Sequence, residues 1–286
     1  MRFAFIRDHA SEFPVSVMCR VLEVSRSGYY TWAKRKPGPR EERRAQLVEQ
    51  IREVHEASRG IYGSPRVHQD LQEKGIDCCE NTVAKLMKDQ GIRSKTSKKF
   101  RISTTDSRHP HPIAKNHLAQ DFQTTKINEV WLTDITYIAT GEGWLYLAAV
   151  LDLCSRKIVG WATADHLRAE LVCKALENAL ADRRPTGELL HHSDRGVQYA
   201  CDAYQELLAF HDITPSMSRT GNCYDNAPME SFFGTLKKEL IHHEDYATHE
   251  QAHQSLFEYI EVFYNRQRRH SALGYVSPHQ FEESLQ

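Results

Sequence analysis

Nine consecutive residues, Val130-Trp131-Leu132-Thr133-Asp134-Ile135-Thr136-Tyr137-Ile138, are apolar, aromatic or β-branched except for a single carboxylate at their centre. Such a run favours a β-strand. A carboxylate inside a central strand is costly to bury unless something compensates, such as a metal. The segment therefore demands a sheet, and a sheet with chemistry at its middle.

The residues that follow supply the rest of that sheet. Gly141-Glu142-Gly143 reads as a turn, Trp144 to Leu151 as a second strand, and Lys157 to Ala162 as a third, close enough for an antiparallel meander. Ala169 to Ala181 has helical periodicity, with Leu171, Val172, Ala175, Leu176 and Leu180 inward. Glu188 to His192 reads as a fourth strand and Ile213 to Met217 as a fifth, with a helix from Asp202 to Phe210 between them. Helices over Ala227 to Ile241, 248–264 and 277–284 complete the pattern. The order describes an α/β fold, a mixed five-stranded sheet covered by helices.

The front is different in kind. Val15, Met18, Val21 and Leu22 lie at helical spacing, and Ser25 reads as the N-cap of a second short helix through Trp32. Lys34 to Arg40 is a basic hinge broken by Pro37, Gly38 and Pro39. A helix over 41–57 follows. Ser64 is expected to cap another helix with Pro65 first, and Asn81 a third, closed by Gly75 and Gly91 respectively. Helix, glycine turn and helix fit a DNA-binding pair or a plain helical hairpin. Lys95, Lys98, Lys99, Arg101 and Arg108 then decorate a Ser/Thr/Pro-rich stretch that reads as a basic, mobile linker.

Charge divides along the same line. Residues 1–120 hold 23 Lys and Arg against 14 acids, whereas residues 121–286 hold 14 against 24. A basic front suits phosphates, and an acidic rear suits divalent cations or a solvated surface. The seven cysteines show no C-x-x-C spacing, which argues against a disulfide framework or a cysteine zinc site. The sixteen histidines, including His191-His192 and His242-His243, lack metal-finger spacing and read as surface or local structural residues. No window suits a membrane span, and the apolar opening run is too short for a secretory signal, so the expected location is cytoplasmic.

Three acids stand out by position. Asp134 lies within the first strand, Asp194 where the fourth ends, and Glu230 on the helix after the fifth. Strand ends and the adjacent helix starts are where open α/β sheets place ligands. Carboxylates brought together raise one another's pKa unless a cation neutralises them, and oxygen ligands select hard ions such as Mg²⁺ or Mn²⁺. On the Glu230 helix, Met229, Phe233, Leu236 and Leu240 form a core stripe. Asn226, Glu230 and Lys237 share a neighbouring face, which suits either a grip on metal and phosphate or a surface ion-pair helix.

Here a resemblance becomes specific. The segments Trp131 to Tyr137, His192 to Tyr199 and Asn226 to Lys237 resemble the Asp-Asp-Glu signature of retroviral-integrase-like recombinases, with thirty-five residues between Asp194 and Glu230. The chain resembles, nearly end to end, the second-reading-frame product of bacterial insertion-sequence transposases of the IS-three type. Phe13 to Leu22, Val24 to Tyr30, Tyr62 to Arg66 and Tyr264 to Gly274 all match that group, in order.

The resemblance implies an RNase H-like fold preceded by all-α helix-turn-helix modules, and metal-dependent DNA strand cleavage and strand transfer at insertion-sequence ends. It implies two Mg²⁺ or Mn²⁺ ions per active site, with Asp134 and Asp194 holding both and Glu230 completing one site. One ion would activate the attacking oxygen and the other would stabilise the leaving one, with no covalent protein–DNA intermediate. Lys237 would contact DNA phosphate near the reacting end, with Asn226 and Gln198 as further positioning candidates. Arg26, Arg66, Lys98 and Lys99 are the DNA-binding candidates of the basic front. The expected organisation is a helix-turn-helix module over 1–36, a second over 37–94, a basic linker over 95–124 and the catalytic core over 125–286. Expected partners are element-end and target DNA, further copies of the chain on that DNA, and a first-reading-frame protein as a candidate. Such elements usually make a longer fusion with a heptad zipper. No sustained heptads occur here, so the chain reads either as the shorter product or as a complete enzyme with its own DNA modules. A nucleoid-associated bacterial protein is the implied setting. A DNA-binding regulator with a silent rear domain is the competing reading, and the presence of all three acids argues against it.

Overall fold

The computed structural model describes residues 1–95, 111–219 and 223–285. Three short helices open the chain: α1 (Arg2–Asp8), α2 (Val15–Val21) and α3 (Arg26–Lys34). They bury Ile6, Met18, Cys19 and Tyr29 in a small core of their own. Ser25 caps α3 as expected, its Oγ accepting from the Gly28 amide at 2.9 Å. The apolar opening run, read from sequence only as too short for a secretory signal, is α1.

Three longer helices follow, α4 (Pro39–Ala57), α5 (Ser64–Glu73) and α6 (Glu80–Asp89). Two caps differ from expectation. Gly63 and Cys79 occupy the N-cap positions, and Ser64 and Asn81 lie inside the first turn. Pro65 fits one place further in because the first turn leaves its backbone donors unpaired anyway. Gly75 and Gly91 end α5 and α6 with φ of +73° and +70°, a conformation open to glycine. Lys98 and Lys99 lie outside the described residues. The far end of the stretch read as a mobile linker is anchored: the amides of His117 and Leu118 donate to Ser216 Oγ, and Leu118 is buried.

The sheet comprises β1 (Val130–Thr140), β2 (Gly143–Asp152), β3 (Ile158–Ala164), β4 (Leu190–Ser193) and β5 (Thr214–Met217), in the spatial order β3-β2-β1-β4-β5. The first three form the expected antiparallel meander, and β4 and β5 extend it in parallel. Helix α7 (Ala169–Arg183) links β3 to β4, and α8 (Val197–Ala200) and α9 (Asp202–Phe210) link β4 to β5. A 3-10 turn, Cys223–Asn226, leads into α10 (Ala227–Glu239), and α11 (His249–Phe257) and α12 (Pro278–Glu283) follow. The single helix expected over 248–264 loosens after Phe257 into a π-helical stretch, Glu258–Tyr264. Such widened turns let a helix re-aim bulky residues, and Tyr259, Ile260, Phe263 and Tyr264 are all buried here.

Helices α7 and α9 cover one face of the sheet. Gly160 on β3 makes this possible, since a Cβ there would stand 2.4 Å from the Ala175 carbonyl oxygen. On the other face, residues of α10, α11 and the π-helical stretch merge with Ile51, Val67, Leu71 and Val83 of α4–α6 into one continuous apolar cluster. The tail locks that union: Arg269 pairs with Asp70 and Glu73 of α5, and its amide donates to the Tyr62 hydroxyl at 2.9 Å. Among the described residues no helix is long and apolar enough to cross a membrane.

Candidate active site

Parallel pairing sets the centre of the site. Leu132 on β1 lies beside His192 on β4. Two residues further along each chain stand Asp134 and Asp194, and both line the same cleft of about 290 Å³. Neighbouring strands run about 4.8 Å apart, so a shared register sets two such carboxylates side by side. β4 ends at Ser193, which frees Asp194 from the ladder.

Each of these acids is oriented locally. Asp134 Oδ1 accepts from the Ile135 amide at 2.8 Å. Asp194 Oδ1 accepts from the Gly196 amide at 2.8 Å. A Cβ on Gly196 would stand 3.0 Å from both Asp194 Oδ1 and Gln198 Oε1, so a larger residue in this turn would press on the Asp194 carboxylate. Asp134 is half-buried, and its carboxyl lies well above the usual carboxylate range. Burial is the largest cause and the charge of Asp194 the next; Glu230 adds to it, while the Ile135 amide and Lys237 oppose it.

Helix α10 brings the third acid. Glu230 sits in its first turn, exposed to solvent, and does not line the cleft. Among the described residues no three His, Cys, Asp or Glu side chains stand close enough to hold one ion between them. The charge of Glu230 nonetheless bears on Asp134, pushing its carboxyl up. Asn226 caps the approach to α10 and is buried. Its Nδ2 donates to the Thr133 carbonyl at 3.0 Å, and its Oδ1 is buried without a partner. The sequence set Asn226 on the face of Glu230 and Lys237 as a positioning candidate; here it faces β1.

Lys237 lies two turns beyond Glu230, half-buried, with Nζ 4.9 Å from the centre of the Tyr137 ring. Burial lowers its pKa and Asp134 opposes that shift. Tyr137 in turn meets Trp144 edge-on at 4.9 Å and 87°. Gln198 lines the cleft, and its Nε2 donates to the Leu167 carbonyl. Arg26 is exposed at the start of α3. Arg66 is half-buried, its Nε donating to the Arg269 carbonyl at 2.9 Å.

Several residues escaped sequence reasoning. Tyr137, Trp144, Tyr146 and Tyr199 wall the cleft, yet in the sequence they look like ordinary strand and helix aromatics. Asp225, fully buried just before α10, accepts from Asn116, Gln120 and both ends of the Arg219 guanidinium. Those bonds hold its carboxyl far below the ordinary range. His191 and His192 prove to be structural and buried. His191 meets the Tyr204 hydroxyl and His192 meets Ser216 and Ser218, and burial depresses them to about 3 and about 4.

Comparison with known proteins agrees along the length of the chain. Residues 124–223 and 230–285 match family models described as integrase core domain, and residues 42–100 match one described as an HTH-like domain. A Shigella sonnei protein, "Insertion element IS600 uncharacterized 31 kDa protein", is 46% identical over 266 residues, covering 93% of this chain and 97% of that one. "Transposase InsF for insertion sequence IS3A" of Escherichia coli (strain K12) is 43% identical over 284 residues, covering 99% and 98%. Among solved structures, the trimeric HTLV-2 integrase catalytic core domain in complex with magnesium aligns with a TM-score of 0.43 at 15% identity, over 56% of this chain and 99% of that one.

Proposed function

The chain belongs to the insertion-sequence transposases of the IS3 type, DNA-transposing polynucleotidyl transferases with an integrase core and an HTH-like DNA-binding region, and from that premise we propose that Asp134, Asp194 and Glu230 form its reaction centre. Asp134 and Asp194, which line one cleft, would hold two Mg²⁺ or Mn²⁺ ions between them, and Glu230, which stands outside that cleft here, would complete one site. The observation that carries this reading is the placement of Asp134 and Asp194 two residues beyond the paired Leu132 and His192, both lining one cleft. Burial and the fields of both other acids push the Asp134 carboxyl up, a penalty on its charged form that a hard dication relieves. All the donors are carboxylate oxygens, which suits Mg²⁺ rather than a thiolate-loving metal.

When bound, such ions supply Lewis acidity, activating the attacking water or DNA 3′-hydroxyl and neutralising the leaving oxygen. The chain's own groups do the rest. Asp194, fixed by the Gly196 amide, and Asp134, fixed by that of Ile135, hold their oxygens in one orientation, so little reorganisation accompanies reaction. Lys237 lies within the field of Asp134 and neutralises a phosphate of the reacting strand. Tyr137 and Trp144 offer ring faces and edges to an unpaired base beside the scissile bond. Gln198 positions the same strand from the opposite wall.

In this reading residues 1–36 and 37–94 bind DNA through Arg26, Arg66 and the basic residues that follow, Lys98 and Lys99 included, and residues 125–286 do the chemistry. Joining two element ends calls for several copies on one DNA, with a first-reading-frame protein as a further partner. A strand-transfer assay with Mg²⁺ and element-end DNA tests the reading. Asp134→Asn is expected to abolish joining while leaving DNA binding intact. Robust joining by that variant, or by Glu230→Gln, would overturn the assignment.

A further inference from the structure

A second pocket of about 290 Å³ lies around helix α10 from Glu230. Three guanidiniums, Arg66 of α5, Arg156 of the β2–β3 turn and Arg268 of the tail, line it together with His270 and the hydroxyls of Ser231 and Thr235. On an α-helix Ser231 and Thr235 lie roughly 100° to 140° around the axis from Glu230. The pocket is thus separate from the catalytic cleft but built on the same helix.

The charge in it is unbalanced. Arg268 is matched: its Nε and Nη2 reach the two oxygens of Glu239 at 2.8 and 2.7 Å. Arg66 spends its Nε on the Arg269 carbonyl, and among the described residues neither Arg66 nor Arg156 forms an ion pair. His270 adds no acid, since its Nε2 accepts from Arg268 Nη1 at 3.3 Å. His270 and the three guanidiniums line the same pocket, and burial, then Arg268, Arg66 and Arg156, depress this ring to about 3. The guanidiniums and hydroxyls offer N–H and O–H groups in several directions, a set that suits a multi-oxygen tetrahedral anion.

We propose that the pocket of Arg66, Arg156, Arg268, Ser231 and Thr235 is a phosphate-binding site that seats a backbone phosphodiester of the DNA on which the protein acts. The proposal rests on the transposase reading and adds a contact between DNA and the joint of the helical unit with the core. Arg66, Arg156 and Ser231 come from three separate segments, so a phosphate seated among them would tighten their union.

The test uses the full chain and a duplex of arbitrary sequence, with anisotropy read across a salt series. Arg156→Gln is expected to weaken binding about five- to tenfold and to lower the slope of log affinity against log salt by about one. Arg156→Lys restores the slope. Thr235→Glu, which places a negative charge in the pocket, is expected to weaken binding at least as much and serves if Arg156→Gln fails to fold. Unchanged affinity and slope in folded Arg156→Gln overturn the proposal while leaving the transposase reading intact. A wild-type chain that binds no duplex overturns both. Inorganic phosphate is the second probe. If it raises the melting temperature of wild type but not of Arg156→Gln while DNA binding is equal in the two, the site takes a free anion and the DNA assignment falls.

Discussion

The side-chain amide of Asn226 donates to the carbonyl of Thr133 at 3.0 Å, which ties the start of the Glu230 helix to the strand position directly before Asp134. Two acids far apart in sequence thus share one short mechanical link. Asn226→Ala removes it and leaves a buried carbonyl without its partner, at a cost of about 1–3 kcal/mol. The expected outcome is a slower single-turnover strand transfer with DNA affinity unchanged, and a parallel loss in urea stability.

The acids themselves make a prediction that needs no DNA. Titration of the full chain with Mn²⁺, followed by electron paramagnetic resonance, is expected to show two ions bound per chain. Asp134→Asn is expected to lose at least one. A stoichiometry of zero in wild type would contradict the proposed centre.

Lys237 stands over Tyr137 and within the field of Asp134. Lys237→Gln is expected to lower the strand-transfer rate about 10²-fold, the scale of removing one positioned charge or donor from a reacting centre. Lys237→Arg is expected to recover part of it. Rates at saturating DNA separate this effect from weaker binding.

Acid sensitivity follows from His191. Its folded pKa is about 3, depressed by burial, against an unfolded value near 6.5. The unfolded chain therefore binds the proton first as pH falls, and the neutral ring's contribution to stability is present above about 6.5 and lost toward 3. The slope approaches about 1.4 kcal/mol per pH unit for this group. Urea unfolding at pH 7 and pH 5 is expected to show the loss, and His191→Asn is expected to flatten it.

Gly160→Ala is expected to cost about 1–3 kcal/mol or more, because its Cβ would meet the backbone of α7 at Ala175 and Ala179. Thermal unfolding reads this directly.

The strands and most helices were legible because their signals are local. The Val130–Ile138 run, the Gly141–Gly143 turn and the Asp202–Phe210 periodicity each depend on neighbours in sequence. Asp134 and Asp194 were visible because carboxylates are rare inside and at the ends of apolar strands. Their shared register was not, since parallel pairing joins residues sixty apart. The Asp225 network was hidden for the same reason: Asn116 and Gln120 lie more than a hundred positions before it. The caps expected at Ser64 and Asn81 fall instead on Gly63 and Cys79, neither of which makes a side-chain capping bond, so no polar side chain marks them in the sequence. The π-helical turns after Phe257 carry no periodic mark at all.

The grip of Arg269 on Asp70 and Glu73 has a bearing on how such proteins could be recombined. A chimera that borrows the front helices of one relative and the rear of another inherits one half of this clasp from each parent. Mismatched halves would strand a cation in a dry seam, so heads and tails of these enzymes should be exchanged as a set.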